Sequence, residues 1–479
     1  MTALPDPRGP LLLVRTPEGR SPERRYVMDL VLGEWLGFRY VLEVGREPNL
    51  SIRMDGDPSG RTLAIPDALF AASSEAWLTE RCLPRQPLPR VRMPDSSTGS
   101  AASAGVAPLP VLFGALTADG PAWKETSSGL ALNVDVMGSV FFCLSRMEEI
   151  VGTERDRHDR FPVAASVAHA EGFVERPLVD DYVDLLFAAI QSLWPGVERR
   201  TTEFRLRLTH DIDRPFSAIG RPVWRVARSM GADLTRRRDP RLALRRLRAV
   251  ADARTDRVDR DPFATFDFLM TSSEKHGLHS LFYFITGNDP ADPDCRYRLS
   301  DAHFAPILRD IHWRGHEVGL HASYSSHGSA ERTRAEAADL AKVCRLAGFD
   351  QPTWGVRQHY LRFANPATWK HQEAAGLSHD STMGFAEQVG FRSGTCREHP
   401  VFDLLDRRQL ALRERPLIVM DASLFGYMGL GLEEAARRTC AVVDTCRRHR
   451  GDAVVLYHND TVASARQQVQ YRDLLDALV

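Results

Sequence analysis

Two aspartates separated by one residue follow the alternating stretch at 204–208. Asp211 and Asp213 lie in the segment THDID at 209–213. If this segment is extended, both side chains point to the same side, and two like charges repel unless a cation lies beside them or one is protonated. The pair therefore indicates a divalent metal ion beside a proton-accepting carboxylate. The structural alternative is that one aspartate caps a helix and the other forms a salt bridge.

Three further polar residues could complete such a site. His321 ends the strand-like segment HEVGLH, and a histidine there could complete a carboxylate–imidazole metal site with positions open for water. His458, at the end of an apolar segment, is suitably placed for a general acid. Arg357 could orient a carboxylate through a bidentate contact. A single strand-end histidine can equally be structural, and the arginine can equally form a surface salt bridge.

From residue 203 onward, predicted strands alternate with predicted helices, which indicates a parallel sheet. About seven strand-then-helix units favour a closed (β/α) barrel, whose functional residues belong at the carboxyl ends of its strands. The predicted strands are 204–211, 279–286, 316–321, 352–357, 377–383, 416–421 and 453–460. Polar residues fall at the ends of these strands repeatedly, which indicates one shared site.

The preceding 1–200 region is predicted to be a smaller α/β domain, with a boundary near 197–202 and no residue cluster that indicates chemistry. The small, polar stretch 93–108 predicts a surface loop. Residues 221–260 predict a helical insertion of two amphipathic helices rich in arginine. Such arginine density indicates an anionic neighbour, such as a nucleotide-sugar, a lipid-linked phosphate or a membrane surface. A solvated helical lid is the alternative.

Composition and net charge argue against several classes of protein. The 479 residues carry a net charge of −1, which gives no overall attraction to nucleic acid or membranes. No apolar run approaches the roughly 20 residues of a transmembrane helix, and nothing at the N-terminus is typical of a signal peptide. Seven scattered cysteines favour reduced thiols. We therefore expect a cytoplasmic protein without nucleic-acid partners or transmembrane segments; no feature of the sequence indicates an oligomeric state.

Taken in order, these stretches resemble the NodB-homology polysaccharide deacetylases, a carbohydrate esterase family built on a seven-stranded (β/α) barrel. The resemblance covers 203–479 and follows the D-x-D form of a divergent branch, which an accessory domain often precedes. The matching stretches are THDID for the first motif, His321 for the first histidine of H-[ST]-x-x-H, RQHY at 357–360 for R-x-P-Y, HDSTMGF for the fourth motif and LYH for L-x-H. The resemblance thus implies a distorted (β/α)7 barrel preceded by a smaller α/β domain.

The resemblance also implies a role for each matching residue. These roles are catalytic base for Asp211, metal ligand for Asp213 and His321, catalytic acid for His458, a pair between Arg357 and Asp380, and substrate contacts for His359 and Tyr360. The motif's second histidine falls at Ser325. The third ligand is therefore open between His327, which we assign to it, His359 and His210.

The activity implied is hydrolysis of a non-peptide amide C–N bond with a divalent metal ion, taken as Zn²⁺. The substrate would be an N-acetylated sugar, another glycan or a related small molecule, with an anionic carrier as one option. Three alternatives remain open. They are cleavage of a cyclic amide or ureide, a non-catalytic glycan-binding protein that has lost its metal, and a scaffold that docks through the arginine-rich insertion.

Overall fold

The computed structural model describes residues 10–92, 107–116, 118–219, 222–235, 238–252, 257–287, 289–292, 295 and 297–479. The first part of the chain forms a six-stranded mixed sheet in the order β2-β1-β3-β4-β9-β8, with a small sheet in the order β6-β5-β7. These strands are β1 (Leu11–Thr16), β2 (Arg39–Val44), β3 (Leu50–Met54), β4 (Thr62–Ile65), β5 (Arg90–Arg92), β6 (Leu109–Pro110), β7 (Gly120–Pro121), β8 (Trp123–Thr126) and β9 (Gly129–Leu132).

Five helices accompany these strands: α1 (Ser21–Met28), α2 (Val136–Leu144), α3 (Met147–Val151), α4 (Val167–Ala170) and α5 (Leu178–Leu193). In α5, apolar residues recur every three or four positions, so one face packs into the core. The apolar segment 135–152 forms two helices, α2 and α3, and not one continuous helix. They separate at Arg146, whose φ of 53° is incompatible with a continuous right-handed helix.

The second part forms a nine-stranded sheet in the order β15-β16-β14-β13-β12-β11-β10-β18-β17. Its strands are β10 (Arg205–Ile212), β11 (Ser280–Phe284), β12 (Glu317–Ala322), β13 (Gly355–Gln358), β14 (His379–Asp380), β15 (His399–Asp403), β16 (Arg408–Glu414), β17 (Leu417–Met420) and β18 (Asp452–Leu456). All neighbours are parallel except β15 and β16, which form an antiparallel pair. The prediction of an α/β fold is confirmed.

Helices connect the parallel strands: α6 (Val223–Thr235), α7 (Pro240–Asp252), α8 (Phe266–Glu274), α9 (Phe304–Trp313), α10 (Ala330–Leu346), α11 (Ala367–Ala374), α12 (Leu432–Arg448) and α13 (Ala465–Leu478). No helix within the described ranges is both long enough and apolar enough to cross a lipid bilayer. Two π-helical segments also occur: the seven-residue Asp29–Trp35 in the first part and the six-residue Ala422–Tyr427 in the second.

The second sheet is curled into a half-barrel, and its edges do not pair with each other among the described residues. This differs from the predicted closed barrel. The segment 381–398 runs between the two edges without regular secondary structure. Gly390 donates its N–H to Ile418 of β17, while Phe391 donates to Val174 of the first part of the chain. Backbone groups that could close the barrel are thus bonded to an irregular segment instead.

A buried ion network joins the two parts of the chain. Arg392 donates from Nε and Nη2 to the two carboxylate oxygens of Glu149 at 2.9 and 2.8 Å, and Arg146 donates from Nε at 2.8 Å. All three residues are buried. Burial alone would raise the pKa of Glu149, but Arg392 and Arg146 lower this pKa to about 2. The carboxylate therefore stays charged and compensates two buried guanidinium groups.

We expect Glu149→Gln to destabilise the protein by about 3–5 kcal/mol at neutral pH, because it leaves buried Arg392 without a compensating charge and Arg146 with Glu148 alone, at 2.7 Å. The pKa of Glu149 is lower in the folded protein than in the unfolded one. The stability that its charge gives the wild type is therefore present above about pH 4.5 and is lost as the pH falls toward 2. Denaturant unfolding at several pH values should therefore show the two proteins converging at low pH. The control is Glu434→Gln at an exposed pair with Arg437, expected to change stability by at most about 1 kcal/mol.

Candidate metal centre and active site

The carboxyl ends of β10 and β12 bring two aspartates to one imidazole. His321 Nε2 lies 3.0 Å from Asp213 Oδ1 and 3.7 Å from Asp211 Oδ2. Because parallel strands end at the same edge of a sheet, residues more than 100 positions apart in sequence meet here. Asp211 and His321 are buried, whereas Asp213 is partly open to solvent.

A second histidine joins this group directly after β13. His359 Nε2 lies 3.5 Å from Asp213 Oδ2. The potential ligand atoms of Asp213, His321 and His359 all lie within 4.8 Å of one another. One carboxylate and two imidazoles are a donor set that suits Zn²⁺ with positions left open for water or substrate.

The outer nitrogens of both histidines are held by other groups. His321 Nδ1 is 2.9 Å from the carbonyl oxygen of Arg357, and His359 Nδ1 is 2.7 Å from Asp292 Oδ2. Metal-binding histidines usually donate their second N–H in this way. Buried His359 Nε2 and Asp213 Oδ1 form no hydrogen bond of good geometry among the described residues, although they face His321 and each other's side chains at 3.0–3.5 Å. Such orphaned polar atoms are rare in folded proteins, and a divalent cation between them would satisfy both.

The carboxylates around the centre favour the presence of a cation there. Burial alone would lower the pKa of His359, but Asp213 and Asp292 raise this pKa to about 10. Burial would raise the pKa of Asp213, but His359 and His321 hold this pKa well below its usual range. A bound cation would supply the positive charge that these carboxylates otherwise draw from protonated imidazole.

The turn after β13 presents His359 to the centre through unusual backbone geometry. Tyr360 and Leu361 have φ values of 61° and 54°. Non-glycine residues seldom adopt this left-handed region, and such strain is concentrated at functional sites. Arg160 Nη1 donates to the Tyr360 carbonyl at 3.1 Å, so a residue of the first part of the chain stabilises the turn.

Arg357 orients Asp211 rather than Asp380. Its Nη1 donates to Asp211 Oδ1 at 2.8 Å, and Nε and Nη2 donate to the carbonyl and hydroxyl of Ser381, each at 2.8 Å. The predicted pair with Asp380 is wrong for a geometric reason. Asp380 is in register with Val356 on β13, so it points to the opposite face of the sheet from Arg357. There it accepts a hydrogen bond from Thr382 at 2.5 Å.

His458 is held by Asp421, the last residue of the predicted strand 416–421, to which the sequence analysis gave no role. His458 Nδ1 lies 2.6 Å from Asp421 Oδ1, and the backbone N–H of His458 donates to Oδ2 at 2.9 Å. Nε2 therefore faces the centre, 3.5 Å from Asp213 Oδ2. Burial opposes protonation of His458, but Asp421 and Asp213 raise its pKa to about 10.

These groups surround a cavity of about 250 Å³. Its lining residues are Arg160, Asp211, Asp213, Arg214, His321, Gln358, His359, Tyr360, Leu361, Met420, Ala422, Tyr427, His458, Asp460 and Thr461. Arg160 was missed by sequence analysis, which assigned no chemistry to the first 200 residues. It is buried, held by Asp156 at 2.6 Å, and donates to the Tyr427 hydroxyl at 3.1 Å. The sequence of the charged segment 154–160 does not distinguish Arg160 from arginines that face solvent.

The other two candidates for the third ligand lie elsewhere. His327 Nε2 is 3.5 Å from Asp159, and His327 is not part of the cluster. The loop after β12 turns it toward the first part of the chain, so its assignment as a ligand is wrong. His210 is fully buried and its ring bonds the Tyr457 carbonyl at 2.8 Å and the Ser280 hydroxyl at 3.2 Å. It is a structural residue of the sheet.

Comparison with known proteins finds fold-level likeness. Residues 12–195 match the model of a family of unknown function (DUF7033), and no curated protein sequence matches the chain significantly. A putative polysaccharide deacetylase from Mycobacterium smegmatis is 15% identical, with 59% of this chain and 85% of that chain covered and a TM-score of 0.37.

Two other solved structures bear different descriptions. A mutant of BA3943, a CE4 family pseudoenzyme, is 9% identical, with 58% and 62% covered and a TM-score of 0.30. Puue allantoinase is also 9% identical, with 59% and 85% covered and a TM-score of 0.35. Identities and scores this low assign no activity to the present chain.

Proposed function

We propose that the protein is a metal-dependent hydrolase of a non-peptide amide C–N bond, and that it removes an acetyl group from an N-acetylated sugar or related small molecule. The observation that carries this proposal is the cluster of Asp213, His321 and His359, whose potential ligand atoms face one another within 4.8 Å. Asp211 and His458 adjoin this cluster, each held by its own partner.

Different residues around the centre carry out different steps of the proposed reaction. Zn²⁺ held by the cluster would supply Lewis-acid chemistry at the substrate carbonyl and lower the pKa of water. Asp211, oriented by Arg357, accepts the proton as water adds to the carbonyl carbon. His458, oriented by Asp421, gives a proton to the leaving nitrogen as the C–N bond breaks, which leaves acetate and an amine. Each such proton transfer contributes typically about 10²–10⁴-fold.

The cavity favours recognition of a small unit. Its volume of about 250 Å³ lies below the roughly 300–1,000 Å³ of pockets for drug-sized ligands, so we propose that one sugar-sized group enters it. Tyr360 and Tyr427 line the cavity and offer ring faces and polar groups for a sugar ring.

The test combines metal content with product release. We expect protein purified without chelator to hold close to one equivalent of zinc and to release free amine from N-acetylated sugars and oligosaccharides. Chelation should abolish release and zinc should restore it. If N-acetylated sugars release no amine but cyclic amides or ureides are opened, with a new carboxylate as the product to be measured, the metal chemistry stands and the substrate class changes. Less than about a tenth of an equivalent of metal, with glycan bound but not cleaved, would instead support the binding-protein alternative.

A further inference from the structure

The two helices α6 and α7 carry a solvent-facing stripe that is both apolar and basic. Five large apolar side chains on them are between 46% and 66% exposed, far more than aliphatic residues of a helix packed on a core. They are Val223, Trp224, Leu234, Leu244 and Leu247. Val223 and Leu234 lie on one face of α6, and Leu244 and Leu247 on one face of α7, because each pair has helical spacing.

Arginines dominate the charge of this stripe. Four of them are exposed: Arg225, Arg228, Arg241 and Arg248. None of these four forms an ion pair with another described residue. Two of the aspartates bond inside the hairpin: Asp233 is buried against Arg246 at 2.6 Å, and Asp239 accepts from the Leu242 N–H at 2.9 Å. Asp252, at the end of α7, is half-buried and interacts with another residue.

The hairpin is fixed to the rest of the protein close to the candidate active site. Leu242 packs against Phe263 and Ala463, and Arg245 donates to the Ala463 carbonyl at 3.0 Å. Thr461, two residues earlier, lines the cavity, as does Arg214 shortly before α6. A partner bound on the stripe would therefore lie beside the entrance to the cavity.

We propose that α6 and α7 dock the protein on the surface of an anionic lipid bilayer. An amphipathic helix that mixes exposed aliphatic and tryptophan side chains with arginines lies in the plane of the interface, where apolar groups enter the acyl region and arginines meet anionic headgroups. A nucleic-acid backbone offers no apolar surface to the four aliphatic residues. Two copies of the stripe would repel each other through their positive charge, which disfavours self-association. This proposal is independent of the proposed reaction.

The experiment is sedimentation of the full-length protein with vesicles of phosphatidylcholine, with and without phosphatidylglycerol. We expect binding only to vesicles that contain phosphatidylglycerol, and its loss near 1 M salt, where the screening length falls to about 3 Å. Arg228→Gln and Arg248→Gln should each weaken binding about fivefold, from the roughly 1 kcal/mol gained per basic residue near an anionic surface. Trp224→Ala should weaken it at least about tenfold.

Matched controls lie on other helices. Arg334→Gln and Arg345→Gln remove the same charge from exposed positions of α10, and Trp313→Ala removes a tryptophan that is 71% exposed on α9. These variants should bind vesicles like the wild type. No binding to anionic vesicles would overturn the proposal, as would equal losses in the control variants. A dimer in vesicle-free solution that Trp224→Ala dissociates, without vesicle binding, would assign the stripe to a second copy of the chain.

Discussion

Asp211→Asn is expected to lower turnover by roughly 10²–10⁴-fold while metal content stays near the wild-type value. The amide is close to the carboxylate in shape and can still accept the hydrogen bond that Arg357 donates at 2.8 Å, but it cannot take up a proton at neutral pH. The measurements are zinc content, melting temperature and initial rate of amine release on the same preparation. Near-normal turnover with a confirmed substrate would remove Asp211 from the role of base.

Asp213→Asn is the matched variant two residues away. A neutral amide is a poor ligand for a divalent ion, so metal and activity should be lost together. If both aspartates were purely structural, each variant would lose stability, by about 0.5–2 kcal/mol for a helix cap. Metal content and turnover would then fall only in proportion to the folded fraction.

His359→Ala is expected to reduce bound zinc by at least tenfold, since it removes one of three protein ligands and leaves Asp292 without the imidazole that it holds at 2.7 Å. His327→Ala serves as the control because it removes a histidine of the same region from outside the cluster. It should retain zinc at the wild-type level. The measurement is elemental analysis after dialysis, with circular dichroism to confirm that both variants fold.

The reverse result is equally informative. If His359→Ala retains zinc and His327→Ala loses it, the third ligand is His327 in the loop after β12, as the sequence analysis assigned. Loss of zinc in both variants with intact folding would indicate a rearranged loop that uses both imidazoles.

The seven predicted strands of the second part could be recognised because most of them are apolar runs that end in polar residues, followed by an amphipathic helix. The β15–β16 hairpin was not predicted, because β15 is buried along its whole length, contains Pro400 at a register shift, and is stabilised by residues distant in sequence. The Tyr26 hydroxyl, for example, donates to the Pro400 carbonyl at 2.7 Å. The open edge of the curled sheet has the same origin, since segment 381–398, which lies beside β17, also bonds residues of the first part of the chain.

In the candidate site, sequence indicated five residues: Asp211, Asp213, His321, Arg357 and His458. Four of them line one cavity, and Arg357 donates a hydrogen bond to one of these four, Asp211. Asp380 was misplaced because sequence order does not reveal which face of a short strand a residue occupies. His359 was assigned to substrate because its place in the motif belongs to proline in the resembling family. Its role as a ligand candidate depends on the left-handed turn at Tyr360 and Leu361, which no local sequence signal specifies.

The position of Arg160 has consequences for truncated forms of this protein and for variation in its sequence. A shortened protein that begins near residue 203 would keep all the residues of the metal cluster but lose Arg160, which lines the cavity and whose guanidinium bonds the Tyr360 carbonyl. The two parts of the chain therefore build the cavity together. We expect substitutions in the short segment around Arg160 to change which molecules fit the cavity, and exchange of the first part of the chain for that of a homologue to do the same.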